Sequence, residues 1–128
     1  MNFDFRLTLM LCRWHSVGME FIRTQAYLRA LKKADVSERD ERRLLEELAA
    51  FPRKGVVVPG GGGIRKIRLA LGNRGKSAGA RVIYFYLEIR GRIYLLTVYA
   101  KNVRVNLSES EKEMLKKAVS ALKKENEK

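Results

Sequence analysis

One stretch limits what this chain can fold into more than any other. Residues 60–102 read GGGGIRKIRLALGNRGKSAGARVIYFYLEIRGRIYLLTVYAKN. Three runs rich in Ile, Leu, Val and Tyr are separated by glycine-containing turns, the pattern of an antiparallel meander. In the first run, residues 64–71, Ile67, Leu69 and Leu71 fall at one parity and Lys66 and Arg68 at the other. Period-two alternation therefore turns the apolar set to one face and leaves two cations side by side on the other. The later runs, 81–89 and 92–101, are apolar or aromatic at both parities, as in central strands covered on both faces.

Two helical segments precede the meander and one follows it. Tyr27, Leu28, Leu31 and Ala34 recur at helical spacing. A second helix opens at Ser37, with Asp40 three residues on as a weak capping pair, buries Leu44, Leu45 and Leu48 with Phe51 at its end, and stops at Pro52. The link at 35–36 is short, so the two form an antiparallel hairpin over one face of the sheet. Their charged residues, Glu38, Arg39, Glu41, Arg42, Arg43, Glu46 and Glu47, read as a solvated outer face with i,i+4 pairing. Ser108 and Glu111 make a capping box ahead of Met114, Leu115, Ala118, Val119 and Leu122, a helix for the second sheet face with a solvated end after 122. Residues 20–23 suit a short edge strand, and 53–63 a loop. The expected class is α+β: a helix hairpin packed on an antiparallel β-meander, with a C-terminal helix.

At 128 residues the chain is one domain with room for a core. Its 27 Lys and Arg stand against 14 acids, a net charge of +13 that calls for an anionic partner. The cations lie on predicted strands and turns, whereas a membrane-surface binder would gather them along an amphipathic helix with aromatic anchors. Nucleic acid is the better fit, and no membrane partner is expected. One cysteine, Cys12, allows no internal disulfide, and no apolar run approaches the roughly 18–20 residues of a membrane span. The expected location is cytoplasmic.

Residues 1–18 fit poorly with the rest. Phe3, Phe5, Leu7 and Leu9 alternate with Asp4, Arg6 and Thr8 as in a strand; alternatively, translation starts at Met19 and the piece is upstream sequence read in frame. The second reading is preferred, because a complete domain, 19–128, can be built without it. His15, isolated there, is taken as incidental.

Three motifs bear on chemistry. Gly75-Lys76-Ser77 echoes a phosphate-binding loop, but Ala70 stands where that loop needs glycine and a strand follows where it needs a helix. An ATP site is rejected; Arg74 and Lys76 read instead as mobile cations able to wrap a substrate backbone. Pro59 with the four glycines after it is either a flexible connector or a loop that lets RNA backbone approach closely. Tyr84, Tyr86, Tyr94 and Tyr99 belong mostly to the core, with one or two near a sheet end free to stack on bases.

The order of short strand, helix hairpin, three-stranded meander and C-terminal helix resembles the RelE superfamily of bacterial toxins. The strings PGGGGIRKIRLALGNRGKSAGARVIYFY and IYLLTVYAKN are similar to its HigB-type branch, from Met19 to about Leu122. The resemblance implies an mRNA interferase that cuts mRNA on the translating ribosome, partnered by a helix-turn-helix, HigA-type antitoxin. It implies catalytic roles for Lys66 and Arg68 as the paired basic residues of the first meander strand, for Arg81 opening the next strand, and for Lys101 in the cluster after the last. Arg65, Arg74, Lys76 and Asn102 are the expected RNA-binding residues. Relatives place a further Arg and a Tyr after that cluster; here Asn102 follows Lys101, and the C-terminal helix holds no Tyr, which leaves the general base unassigned.

Cutting RNA requires the 2′-OH to lose its proton, the five-coordinate phosphate to be stabilised and the leaving 5′-O to gain a proton. No cluster of Asp, Glu or His accompanies the sheet, so a metal-free route without cofactor is expected. Arginine is no base; Lys66, Lys76, Lys101 or a tyrosine is left. Bringing a lysine from about 10.4 to about 8 takes roughly 3 kcal/mol. A neighbouring cation at about 4 Å supplies up to about 4 kcal/mol at an effective dielectric near 20. The expected division has Arg68 and Arg81 clamping the scissile phosphate and Lys66 or Lys101 handling protons. The competing class is a basic sheet that docks on RNA without cutting it, and a third is a binding domain for an acidic protein.

Overall fold

The computed structural model describes residues 13–16, 18–72 and 79–127. In chain order the elements are β1 (Arg13–Ser16), β2 (Met19–Arg23), α1 (Gln25–Lys33), α2 (Glu38–Ala50), β3 (Val56–Val57), β4 (Arg65–Leu69), β5 (Ala80–Leu87), β6 (Arg92–Ala100) and α3 (Glu109–Asn126). The strands form one sheet in the order β1-β2-β6-β5-β4-β3. The β4-β5-β6 meander is antiparallel, as the alternation requires. A tight turn at Glu88–Arg90 closes its second hairpin, ending on Gly91 in the left-handed region at φ 61°. Among the described residues no helix is long and apolar enough to cross a membrane.

Each sheet face carries its own core. Phe21, Ile67, Leu69, Val82, Tyr84 and Leu95 meet Tyr27, Leu31, Leu44 and Leu48 from the helix hairpin. Ile83, Phe85, Tyr94 and Leu96 meet Leu115, Val119 and Leu122 of α3. Many of these side chains are sealed from solvent, and each contributes about 1.5–3 kcal/mol relative to exposure.

The edge strand expected at 20–23 is instead an interior one. β2 runs parallel to β6, with Phe21 opposite Ile93, and β1 pairs with its other side. Thr24 fixes the junction to α1. Its hydroxyl accepts from the Tyr27 N–H at 3.1 Å as the N-cap and donates to the Leu95 carbonyl at 2.8 Å. Ser37 likewise caps α2, accepting from the Asp40 N–H.

The face of α2 read as solvated is not uniformly so. Glu41 is buried, accepts both Nε (3.0 Å) and Nη2 (2.9 Å) of Arg23, and takes a 2.8 Å hydrogen bond from the Tyr27 hydroxyl. Burial, with Glu41 adding to it, holds the Tyr27 hydroxyl well above its ordinary pKa. Asp40 is also buried and accepts from the Gly72 N–H. These carboxylates lock the hairpin to the sheet.

The loop expected at 53–63 is partly strand: Val56 and Val57 pair with Lys66 and Arg65. The glycines then turn the chain, and Gly63 at φ 111° adopts a conformation closed to other residues. The end of α3 is likewise held rather than frayed. The Asn126 amide accepts from Arg92 at 2.7 Å and donates to the Tyr94 hydroxyl at 3.0 Å, while its carbonyl accepts from Arg90.

Candidate nucleic-acid interface

The sheet register decides which cations share a surface. Arg68 lies directly opposite Arg81, and Lys66, two residues along, lies opposite Ile83. Ile83 belongs to the core under α3, so all three cations stand on the α3 side of the sheet. There the helix does not cover them: Arg68 is exposed, and Lys66 and Arg81 are half-buried. Arg81 is in turn paired with Tyr99 on β6. Like charges in directly opposed positions repel, so the Arg68–Arg81 pair costs stability that an anion between them would return.

Other predicted residues fall elsewhere. Lys101 is exposed in the turn after β6, its N–H donating to the Gly79 carbonyl at 2.9 Å, at the Arg81 end of the sheet. Asn102, next to it, is also exposed. Arg65 has the opposite parity to Lys66. It stands across from Tyr84 on the helix-hairpin face, and its guanidinium donates to the Arg53 and Gly55 carbonyls at 3.0 and 2.8 Å. It braces the loop before β3 and stands away from the other cations. Arg74 and Lys76 lie outside the described residues.

Beside Lys66 the surface opens into a cleft of about 350 Å³. It is bounded by residues 56–59 at the sheet edge, by Asn106 and Leu107, and by the first turn of α3, with Lys66 and Tyr99 between. Lys66 Nζ donates to Asn106 Oδ1 at 3.3 Å, and Lys112, from α3, pairs with Glu109 at 3.2 Å. A larger cavity, about 560 Å³, opens around Phe51 at the end of α2. Its two cations, Arg53 and Lys54, are already paired with Glu88 and Glu47, which leaves the Lys66 cleft the better placed for an anionic ligand.

Sequence reading missed Arg104 and Asn106, and gave Glu111 only its capping role. Arg104 lies 4.8 Å from the Tyr99 ring centre and is ion-paired with Glu111. Partial burial pushes the Glu111 carboxyl up. The hydrogen bonds from Arg104 and Ser108 outweigh that and hold it below the usual range. The alternation that exposed Lys66 and Arg68 has no counterpart in the irregular segment 101–107, so the sequence carries no signal for Arg104 or Asn106.

The tyrosines are less available than expected. Tyr84 and Tyr94 are fully buried. Tyr86 and Tyr99 each carry a guanidinium against the ring, from Arg53 and Arg104. The Tyr99 hydroxyl donates to the Val105 carbonyl at 3.2 Å, and burial raises its pKa against the pull of Arg104 and Arg81. It keeps its proton. Among the described residues no group of three or more His, Cys, Asp or Glu is arranged to hold a metal ion.

Solved structures with a similar chain path come from E. coli. A doubly substituted RelE toxin in the free state has 19% identity over 65% of this chain and 83% of its own, with a TM-score of 0.45. The RelBE toxin–antitoxin complex has 18% over 62% and 92%, at 0.48, and the isolated RelE toxin 22% over 71% and 92%, at 0.42. The model of the family described as the RelE toxin of the RelE/RelB toxin–antitoxin system matches residues 19–128, and the chain therefore belongs to the RelE toxin family.

Proposed function

We propose that this toxin is a ribosome-dependent endoribonuclease of the HigB type, which cuts mRNA in the cytoplasm and is restrained by a helix-turn-helix, HigA-type antitoxin. The observation that carries the reading is the opposed pair Arg68 and Arg81 with Lys66 on the same face. Two guanidiniums on neighbouring strands present planar, always-charged forks to one phosphate. Such a pair binds best when the phosphate gains charge in its five-coordinate state. The 2′-oxygen attacks the adjacent phosphorus as its proton leaves, and the bond to the 5′-oxygen breaks as that oxygen takes up a proton. A 2′,3′-cyclic phosphate remains. Lys66, beside the pair, or Lys101, at the end of the next strand, serves the proton transfers, and the ribosome supplies substrate orientation.

Brief induction followed by mapping of cellular mRNA 5′ ends tests the proposal. New ends within translated regions are expected, and Arg81→Ala is expected to reduce them by about 100-fold or more. If the wild-type protein binds translating ribosomes yet yields no new ends, it is a non-catalytic binder instead. If Arg81→Ala cuts normally, the phosphate clamp is misassigned.

A further inference from the structure

Arg68 and Arg81 stand one position from the last pair of the β4–β5 ladder, Leu69 with Ala80. The end of a ladder is where strands part most easily, and two opposed guanidiniums push them apart there. The two strands differ in how they resist. β5 lies between β4 and β6, and beyond its ladder the Gly79 carbonyl still accepts from the Lys101 N–H at 2.9 Å. β4 meets β3 only at Arg65 and Lys66, so among the described residues its outer edge has no strand from Ile67 onward.

Helix α2 supplies the missing hold. Asp40 Oδ2 accepts from the Gly72 N–H at 3.2 Å, and Oδ1 takes Arg43 Nη2 at 2.5 Å. The same nitrogen of Arg43 makes a long 3.4 Å bond to the Ala70 carbonyl, two residues past Arg68. Leu69 and Leu71, between these grips, are buried in the core under the helix hairpin. Asp40 is itself buried, so the carboxylate gains little from water and much from these two donors. The two strands also meet closely here: a Cβ on Gly79 would lie 3.3 Å from the Leu69 carbonyl oxygen. Resting on the reading of Arg68 and Arg81 as the phosphate clamp, we infer that Asp40 is a positioning residue of that site. By fixing the exit of β4 it keeps Arg68 opposite Arg81 against their repulsion, with both guanidiniums in reach of one phosphate.

Labelled oligouridylate, titrated by fluorescence anisotropy at several salt concentrations, tests this without any cutting. By charge alone, removing an acid leaves the slope of log K against log salt equal or steeper. Asp40→Ala is nevertheless expected to flatten it by about 0.7, the loss of one phosphate contact on a single strand. Asp40→Asn keeps an acceptor for the Gly72 N–H and is expected to restore the wild-type slope. Glu41→Ala cuts the bonds from α2 to Arg23 and Tyr27 and touches neither strand end, so the slope should not move. Combining Asp40→Ala with Arg68→Ala is expected to add nothing to Arg68→Ala alone, because both remove the same contact. Arg43→Ala, at a mostly exposed side chain, gives a second route should Asp40→Ala fail to fold. It is expected to flatten the slope and likewise add nothing to Arg68→Ala. A wild-type slope in folded Asp40→Ala, or in Arg43→Ala where only that variant folds, overturns the role, and so does an additive double variant. Absence of salt-dependent binding by the wild-type protein overturns the clamp and this role together. If binding follows these slopes but no new mRNA ends appear in cells, the nuclease reading fails while Asp40 keeps its place at a binding clamp.

Discussion

At the scale of single residues, the most consequential group outside the cationic face is Glu41. It sits on a helix whose Glu38 and Glu46 are exposed, yet it is buried under Arg23 and the Tyr27 hydroxyl. Removing the carboxylate takes the acceptor from the buried Tyr27 hydroxyl and the bidentate bond from Arg23. Arg23 keeps about a quarter of its side-chain surface in water, which places the cost at the low end of the range for buried pairs. Glu41→Ala is expected to destabilise the protein by about 2–3 kcal/mol in urea titrations. Glu46→Ala, on the exposed side of the same helix, is expected to stay within about 0.5 kcal/mol. Equal effects at the two positions would remove Glu41 from the list of structural anchors.

At the scale of elements, α3 is fixed at both ends, and its start is sensitive to acid. The Glu111 carboxylate serves the capping box and the ion pair with Arg104. Its pKa is lowered in the folded protein from an ordinary 4.5, so its contribution is complete above about that pH and fades as pH falls through the lowered folded value. The melting temperature of the wild type should therefore drop more steeply between pH 5 and pH 3 than that of Glu111→Gln. Parallel acid limbs would show that the carboxylate contributes nothing specific. The capping box, the helix hairpin and the meander were all legible in the sequence, because each is encoded by residues within a few positions of one another. Glu41 was not: its partner Arg23 is 18 residues away, and local spacing describes a helix surface without saying what packs on it. The β3 pairing was hidden by the glycines that follow it, and the hold on Asn126 by partners more than thirty residues distant.

At the scale of the whole molecule, the excess of positive charge sets how binding responds to salt. The parity of Lys66 and Arg68 could be read from the chain, and so could the shared face. What the sequence could not supply was register: only pairing of β4 with β5 sets Arg68 against Arg81, whereas alternation alone sends Arg65 to the opposite side. If Lys66, Arg68, Arg81 and Lys101 each meet one phosphate of a single strand, the slope of log K against log salt is about −2.8, at roughly −0.7 per contact. Affinity should then fall by about 50-fold from 50 to 200 mM salt. Arg68→Ala is expected to flatten the slope by about 0.7, and an unchanged slope would mean that Arg68 does not touch the backbone.

The parallel pairing of β2 with β6 joins positions some seventy residues apart, as the Thr24 bond to Leu95 marks. A nascent chain thus carries β2 unpaired on that side until β6, at Arg92–Ala100, has been made. Long-range closure of this kind comes late in folding. The six-stranded sheet is therefore closed around β2 only after β6 has been made, and the local β4–β5 hairpin that carries Lys66, Arg68 and Arg81 can pair before it.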